Sequence, residues 1–285
     1  MSDFYDRREE PRNAPPLATA IIYLALALGA LFMFYPFLWM FTASFKTLPE
    51  ATQPSLSLLP AEWQWQNWPL VFRTAPFARY FFNSLLVAAC VAAGNVVFGL
   101  MAAYALTRLR FPGRNQLFAL VLLTMMLPFE VALVPNFILI GKLGWYNTYA
   151  ALIVPWLASA FSIFLFRQAL LTLPGDYFDA ARVDGCGHLR FLGTIAAPLV
   201  RPVVVTVALF AFLGSYNSLL WPLVVTTDDR LRVVQTGLMA FLTDYGVRMH
   251  LLMCASTIIV LPTLALYFLA QRAFVESALG TGLKG

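Results

Sequence analysis

LATAIIYLALALGALFMFYPFLWMFTASF, residues 17–45, holds no charged side chain. As a helix at about 1.5 Å per residue this run reaches about 43 Å, against a hydrocarbon core about 30 Å thick. It is therefore long enough to cross a bilayer with tilt. It is too long for a signal-peptide core and no small-residue cleavage site closes it, so it is expected to persist as a first span. The same texture recurs at 80–107, 115–140, 150–166, 202–227 and 251–270. Six spans, all helical, predict an all-α polytopic membrane protein. Residues 1–16 carry mixed charge and three prolines and read as a tail, 17–273 as the membrane domain, and 274–285 as a second tail.

Composition leads to the same class. Of 285 residues 60% are hydrophobic and 12% charged, where a soluble domain carries about 25% charged residues. The net charge of +5 does not indicate a nucleic-acid partner, because the basic residues stand singly between apolar runs with no patch or stripe. With both termini on one side, that side carries 12 Lys and Arg and the other 7. Positive charge concentrates on the cytoplasmic side, so both termini are expected there. Part of the bias comes from Arg108, Arg110 and Arg114, clustered around the Pro112-Gly113 turn. Cys90, Cys186 and Cys254 lack metal-ligand spacing, and His188 and His250 lie far apart, so no metal site is expected. No G-x-x-x-x-G-K-[ST] phosphate loop occurs. No internal repeat of the kind seen in many secondary transporters is visible either.

One polar connection is too structured to be a turn. It reads RQALLTLPGDYFDAARVDGCGHLRFLGTIAAPLVRP, residues 167–202. A helix is expected from the Pro174-Gly175-Asp176 break, with Asp176 as N-cap. Gly185 and Gly187 end it, and a second short helix is expected over 189–195, before Pro198. Two short helices joined by glycines suit the docking of a partner. The segment resembles the EAA loop of bacterial ABC importer permeases, whose pattern is EAA, three residues, Gly, about nine residues, then Ile-x-Leu-Pro. Here it is Asp179-Ala180-Ala181, then Gly185, then Ile195-Ala196-Ala197-Pro198, with Arg182-Val183-Asp184-Gly185 similar to the family's R-I-D-G. The leading Glu is Asp179 and the Leu before Pro is Ala197, both conservative departures.

The resemblance extends from span two to the last residue. Asn83-Ser84-Leu85, Leu143-Gly144-Trp145-Tyr146-Asn147-Thr148-Tyr149, Phe164-Leu165-Phe166-Arg167-Gln168, Gln271-Arg272-Ala273-Phe274-Val275 and Gly280-Thr281-Gly282-Leu283-Lys284-Gly285 all look like the carbohydrate branch. The likeness is strongest to the second permease of maltose-type importers. It implies a coupling loop over 173–200 that docks on a separate ATPase through Asp179, Ala180, Ala181, Asp184 and Gly185. It implies a second, non-identical permease, two copies of the ATPase and an external solute-binding protein. It places the chain in a bacterial or archaeal cytoplasmic (inner) membrane, as a transport subunit without catalytic residues. No cofactor is expected on this chain, with ATP and Mg on the ATPase. The outward loop 228–250, with Asp244, Tyr245, Gly246, Val247 and Arg248 at its tip, is implied to touch the binding protein.

Pathway candidates are polar or aromatic groups in or beside the spans. Glu130 is the only acid within them, and an ionisable group at that depth costs at least about 2.5 kcal/mol unless protein or water faces it. Tyr216, Asn217 and Trp221 offer the aromatic faces and amide that sugars bind, and Asn83 opens span two. Packing is the alternative role for all of them. No Lys or Arg lies within a span, which favours a neutral sugar over an anion. A glycerol-phosphate importer is the nearest alternative cargo. An ion-coupled secondary transporter is a further one, with Glu130 as its single coupling group. A polytopic enzyme would need clustered acids, histidines or a nucleophile at the interface, and none is found.

Overall fold

The structure, a computed structural model, describes residues 16–53, 57–243 and 246–282. Four helical segments are long and apolar enough to cross a membrane: Leu17–Ala43 (span one), Phe77–Arg108 (two), Tyr149–Thr172 (four) and Met249–Leu269 (six). Two bent pairs bring the number to six, so the expected all-helical polytopic fold is observed. Among the described residues the only sheet is a hairpin of two-residue strands, Leu242–Thr243 and Gly246–Val247.

The spans are less straight than their hydropathy suggests. Span three is not one rod over 115–140. It consists of Arg114–Thr124 and Phe129–Lys142, meeting at 102°. Pro128 at the corner has no N–H to donate and disfavours helical backbone in the residue before it. Span four contains Tyr149–Ile153, a single 3₁₀ turn Val154–Trp156, a non-helical step, and Ala160–Thr172. Pro155 sits in that turn. Ser159 starts the second half as its N-cap, its Oγ accepting from the Ser162 N–H at 3.1 Å. Span five is Arg201–Tyr216, entered by a 92° bend from His188–Leu199. It stops at Tyr216 rather than at 227, and a short helix, Leu220–Val225, follows. Span six belongs to a helix running Met249–Gly282, so residues 274–282, assigned to a tail from sequence, continue the helix.

Span two is the central pillar, packed against spans four and five. Span one has span six as its main neighbour. Most of its apolar side chains are exposed, Phe32 at 76%. Its C-terminal end is tied down where the chain leaves the membrane. Asn67 Nδ2 donates to the carbonyls of Ser44 (3.0 Å) and Lys46 (2.9 Å), and the Cys254 thiol donates to the Ser44 carbonyl at 3.1 Å. Trp63, Trp65 and Trp68 gather around Phe45 within 5.6 Å between ring centroids.

Candidate docking surface and translocation cavity

The candidate docking segment is built as two helices on a shared aromatic base. The first is Asp176–Val183. Asp176 is its first residue, not its N-cap; Gly175 holds that position without a side-chain bond. The acid still serves the helix, since negative charge in the first turn complements the dipole. The helix ends in a Schellman motif: Cys186 N–H donates to Ala181 O at 2.8 Å and Gly185 N–H to Arg182 O at 3.1 Å. That motif needs a left-handed residue, and Gly185 provides it at φ +69°. A side chain there would cost about 1–2 kcal/mol. The second helix runs His188–Leu199, past the boundary expected before Pro198. A π turn, Leu192–Ala196, accommodates the proline by widening the ladder one turn earlier.

Phe178 and Phe191 bind the two helices together, with ring centroids 4.5 Å apart. The end of span two completes the base. Tyr104 stacks against Phe178 with an interplanar angle of 25°, and its hydroxyl is 2.7 Å from His188 Nδ1. The Arg108 guanidinium stands 3.4 Å from the Phe178 ring centre while donating to the carbonyls of Leu170 (3.2 Å) and Leu173 (3.0 Å). Ala181 is buried in this base, whereas Asp179, Ala180, Asp184 and Gly185 are exposed. The segment therefore holds its inner face on spans two and four and leaves a carboxylate-bearing face that makes no ion pair among the described residues. A cleft of about 490 Å³ beside it is lined by Tyr104, Arg108, Arg110, Asp179, Arg182 and His188 among others.

A second feature lies among the spans. Where span four breaks, a cavity of about 240 Å³ opens between spans two, four and five. Asn95, Ser159, Ser162 and Ser215 supply its polar lining, with aromatic faces from Trp156 and Phe210, and no charged side chain borders it. Asn95 organises the wall. Its Nδ2 donates to Trp156 O at 2.6 Å, and its Oδ1 accepts from Ser162 Oγ at 2.7 Å, which is 2.7 Å from Ser159 Oγ. Irregular backbone at membrane depth is tolerated where it is buried or lines a cavity, and this break does so. Sequence reasoning passed over these residues. The available signal was Pro155 followed by a serine N-cap inside an apolar run.

The five pathway candidates do not gather at this cavity. Asn83 is 0% exposed and all its amide bonds are taken: Nδ2 donates to Arg230 O (3.0 Å) and Arg232 O (2.9 Å), and Oδ1 accepts from the Tyr149 hydroxyl at 2.7 Å. Tyr216 is buried and donates to Ile259 O at 3.0 Å, and Trp221 is buried and donates to Ala151 O at 2.8 Å. The polar atoms of these three are engaged within the fold, so a sugar reaching them would have to displace bonds already made. Asn217 is exposed, its Oδ1 accepting from Gln235 at 3.4 Å. Glu130 is exposed in the first turn after the Pro128 corner. Removing the hub in Asn83→Ala deletes three bonds worth about 0.5–1.5 kcal/mol each. A stability loss of about 2–4 kcal/mol is expected, read as a lower melting temperature in detergent.

On the face opposite the docking segment, Asn147 takes φ +57° and bridges to the next loop. Its N–H donates to Val225 O at 3.0 Å and its Oδ1 accepts from Thr227 N–H at 2.6 Å. Of the expected binding-protein contact, Asp244 and Tyr245 lie outside the described residues. Gly246 and Val247 form the second strand of the hairpin, and Arg248 is exposed with its N–H donating to Phe241 O at 2.9 Å. No group of three metal-ligating side chains occurs among the described residues.

Comparison with known proteins shows what these features belong to. Residues 95–278 match the family model described as binding-protein-dependent transport system inner membrane component. The chain is 34% identical over 275 residues to the sn-glycerol-3-phosphate transport system permease protein UgpE of Agrobacterium fabrum, covering 93% of this chain and 98% of that one. It is 32% identical over 277 residues to the arabinooligosaccharides transport system permease protein AraQ of Halalkalibacterium halodurans, covering 96% and 99%. A chain in the crystal structure of a bacterial ABC transporter for the acidic polysaccharide alginate shares the fold, with a TM-score of 0.80 at 21% identity over 90% of this chain and 96% of that one. With its bent spans, its buried docking base and the extent of these matches, the chain belongs to the binding-protein-dependent transport system inner membrane components, the permease subunits of ABC importers.

Proposed function

We propose that this permease forms one half of a translocation pathway for a neutral sugar or oligosaccharide. The observation that carries the cargo is the cavity at the span-four break, where the Ser159 and Ser215 hydroxyls and the aromatic faces border the space, Asn95 and Ser162 bond to each other in its wall, and no cationic side chain is present. An anionic substrate gains from a charge-assisted bond that this wall does not supply. sn-Glycerol 3-phosphate is the second reading, favoured by the 34% identity to a glycerol-phosphate permease.

The docking segment faces the cytoplasm together with both termini, the side richer in Lys and Arg. Asp179, Ala180, Ala181, Asp184 and Gly185 form the surface that receives an ATPase subunit, which holds ATP and Mg. Two ATPase copies serve this chain and a second, non-identical permease. The hairpin region, Asp244 to Arg248, receives the solute-binding protein on the opposite side. Closure of the ATPases moves the docking helices, and their aromatic base on Tyr104 and Arg108 passes that displacement to spans two and four. The cavity wall belongs to the same spans, so docking and access are mechanically joined.

The test co-expresses the chain with its partner subunits, reconstitutes the complex, and measures ATP hydrolysis with binding protein loaded from a panel of neutral sugars or with sn-glycerol 3-phosphate. Stimulation by a neutral sugar is the expected result. Stimulation by the phosphate ester alone moves the cargo to the second reading. A chain that purifies without an ATPase and couples uptake to an ion gradient overturns the docking role.

A further inference from the structure

The arginine turn between spans two and three borders the docking segment and does not line the cavity. Span two, Phe77–Arg108, is 32 residues long, about 48 Å at 1.5 Å per residue. That exceeds the hydrocarbon core of about 30 Å, and span three returns at Arg114, so the turn 109–113 lies in the headgroup layer. Arg110, Phe111, Pro112, Arg114, Asn115 and Gln116 line a cleft of about 580 Å³ there. Its charge is unbalanced. Among the described residues the one ion pair is Arg232–Asp229, on the opposite face. Arg110 is exposed and its side chain makes no hydrogen bond or ion pair among the described residues. Arg114 donates through Nη1 to Thr107 O and Leu109 O, which fixes the guanidinium at the cleft and leaves its other nitrogens available.

A third guanidinium stands one turn further along. Arg167, from span four, lies 4.0 Å from the Phe118 ring centre, and its Nε is buried without a hydrogen-bond partner. Phe118 is four residues from Arg114 and shares its helix face. The residues leading from the cleft into the bilayer are apolar and exposed: Leu117 at 47%, Leu120 at 59% and Leu123 at 55%. Cations at headgroup height above an apolar helix face match an amphiphile with an anionic head. We infer that the Arg110–Gln116 turn is a binding site for the phosphodiester headgroup of an anionic phospholipid, in the leaflet on the docking-segment side. Arg110 and Arg114 hold the phosphate oxygens and the acyl chains follow Leu117 and Leu120. The site shares Arg110 with the cleft beside Asp179, so a bound lipid lies next to the docking surface.

The importer is reconstituted in nanodiscs containing phosphatidylglycerol and phosphatidylcholine, extracted, and its retained lipids are counted by native mass spectrometry. The parent is expected to retain phosphatidylglycerol in excess over phosphatidylcholine. Arg110→Gln, which breaks no side-chain bond among the described residues, is expected to lower that retention about fivefold, the worth of one basic side chain at an anionic surface. Arg110→Lys is expected to restore most of it, and Arg73→Gln, on the opposite face, to leave it unchanged. Equal retention in parent and Arg110→Gln overturns the site. So does an equal drop in Arg73→Gln. Release of phosphatidylglycerol by excess inorganic phosphate identifies a free-anion site and overturns the lipid assignment. None of these readouts depends on the cargo or on ATPase stimulation.

Discussion

In the assembled importer, Asp179→Arg is expected to reduce binding-protein-stimulated ATP hydrolysis by about thirtyfold or more. Asp179 is exposed, and its carboxylate makes no hydrogen bond or ion pair among the described residues. The fold therefore does not need it, and the melting temperature of the purified complex should stay at the parent value. A docking partner does need it if the carboxylate meets a basic group there. Truncating one member of a buried, hydrogen-bonded charge pair costs about 2–5 kcal/mol, and each 1.4 kcal/mol is about tenfold in affinity. Reversal adds repulsion, while Asp179→Asn should fall between the two. Full stimulation in Asp179→Arg would remove the carboxylate from the interface. A matching drop in melting temperature would show a structural role instead.

Gly94→Val is expected to abolish transport and to destabilise the chain. Gly94 lies where span two passes the break in span four. A Cβ there would stand 2.5 Å from Leu157 Cδ2 and 3.0 Å from both Leu157 Cα and O. The Leu157 side chain can rotate away, but its backbone must also yield, and Val adds two further methyls. Overpacking of this kind costs about 1–3 kcal/mol. The displaced backbone also carries Trp156 O, which holds Asn95 at 2.6 Å, so the cavity wall is distorted together with the packing. Gly29→Val in span one is the control, since a Cβ there meets nothing within 4 Å. Transport and melting temperature are the two readouts. An active, stable Gly94→Val variant would show that span two and the break are not in the close register described above.

Some of this architecture could be read from the chain and some could not. Uncharged runs such as 17–45 identify spans because lipid tolerates no alternative. The helical structure of the 176–185 segment could be read because Asp179-Ala180-Ala181 and Gly185 are local: a helix face and its Schellman stop lie within seven residues. The bends could not be read in the same way. Pro128 corners span three and Pro155 breaks span four, yet Pro36, Pro135 and Pro262 sit inside helices that continue. The difference lies in whether neighbouring helices accept the new direction, which a single run does not record. The intrachain bonds of three pathway candidates were illegible for a related reason. Asn83, Tyr216 and Trp221 have the right chemistry for sugar, but their polar atoms bond to groups 43 to 149 residues away. Those distant partners decide whether a polar group is available to a ligand.

Span one shows the opposite condition. Its helix has one main neighbour and shows most of its side chains to the surroundings. Purifying selection on such a helix has little shape to preserve. Leu, Ile, Phe and Val are interchangeable to a lipid tail, so exchanges among them should drift freely along its exposed length, while the anchoring end at Ser44 to Lys46 stays fixed. Span two, which contributes buried residues to all three apolar clusters among the described residues, cannot drift in that way. Rates of sequence change along the chain should therefore follow the number of protein neighbours rather than hydropathy, with the most apolar helix among the fastest to diverge.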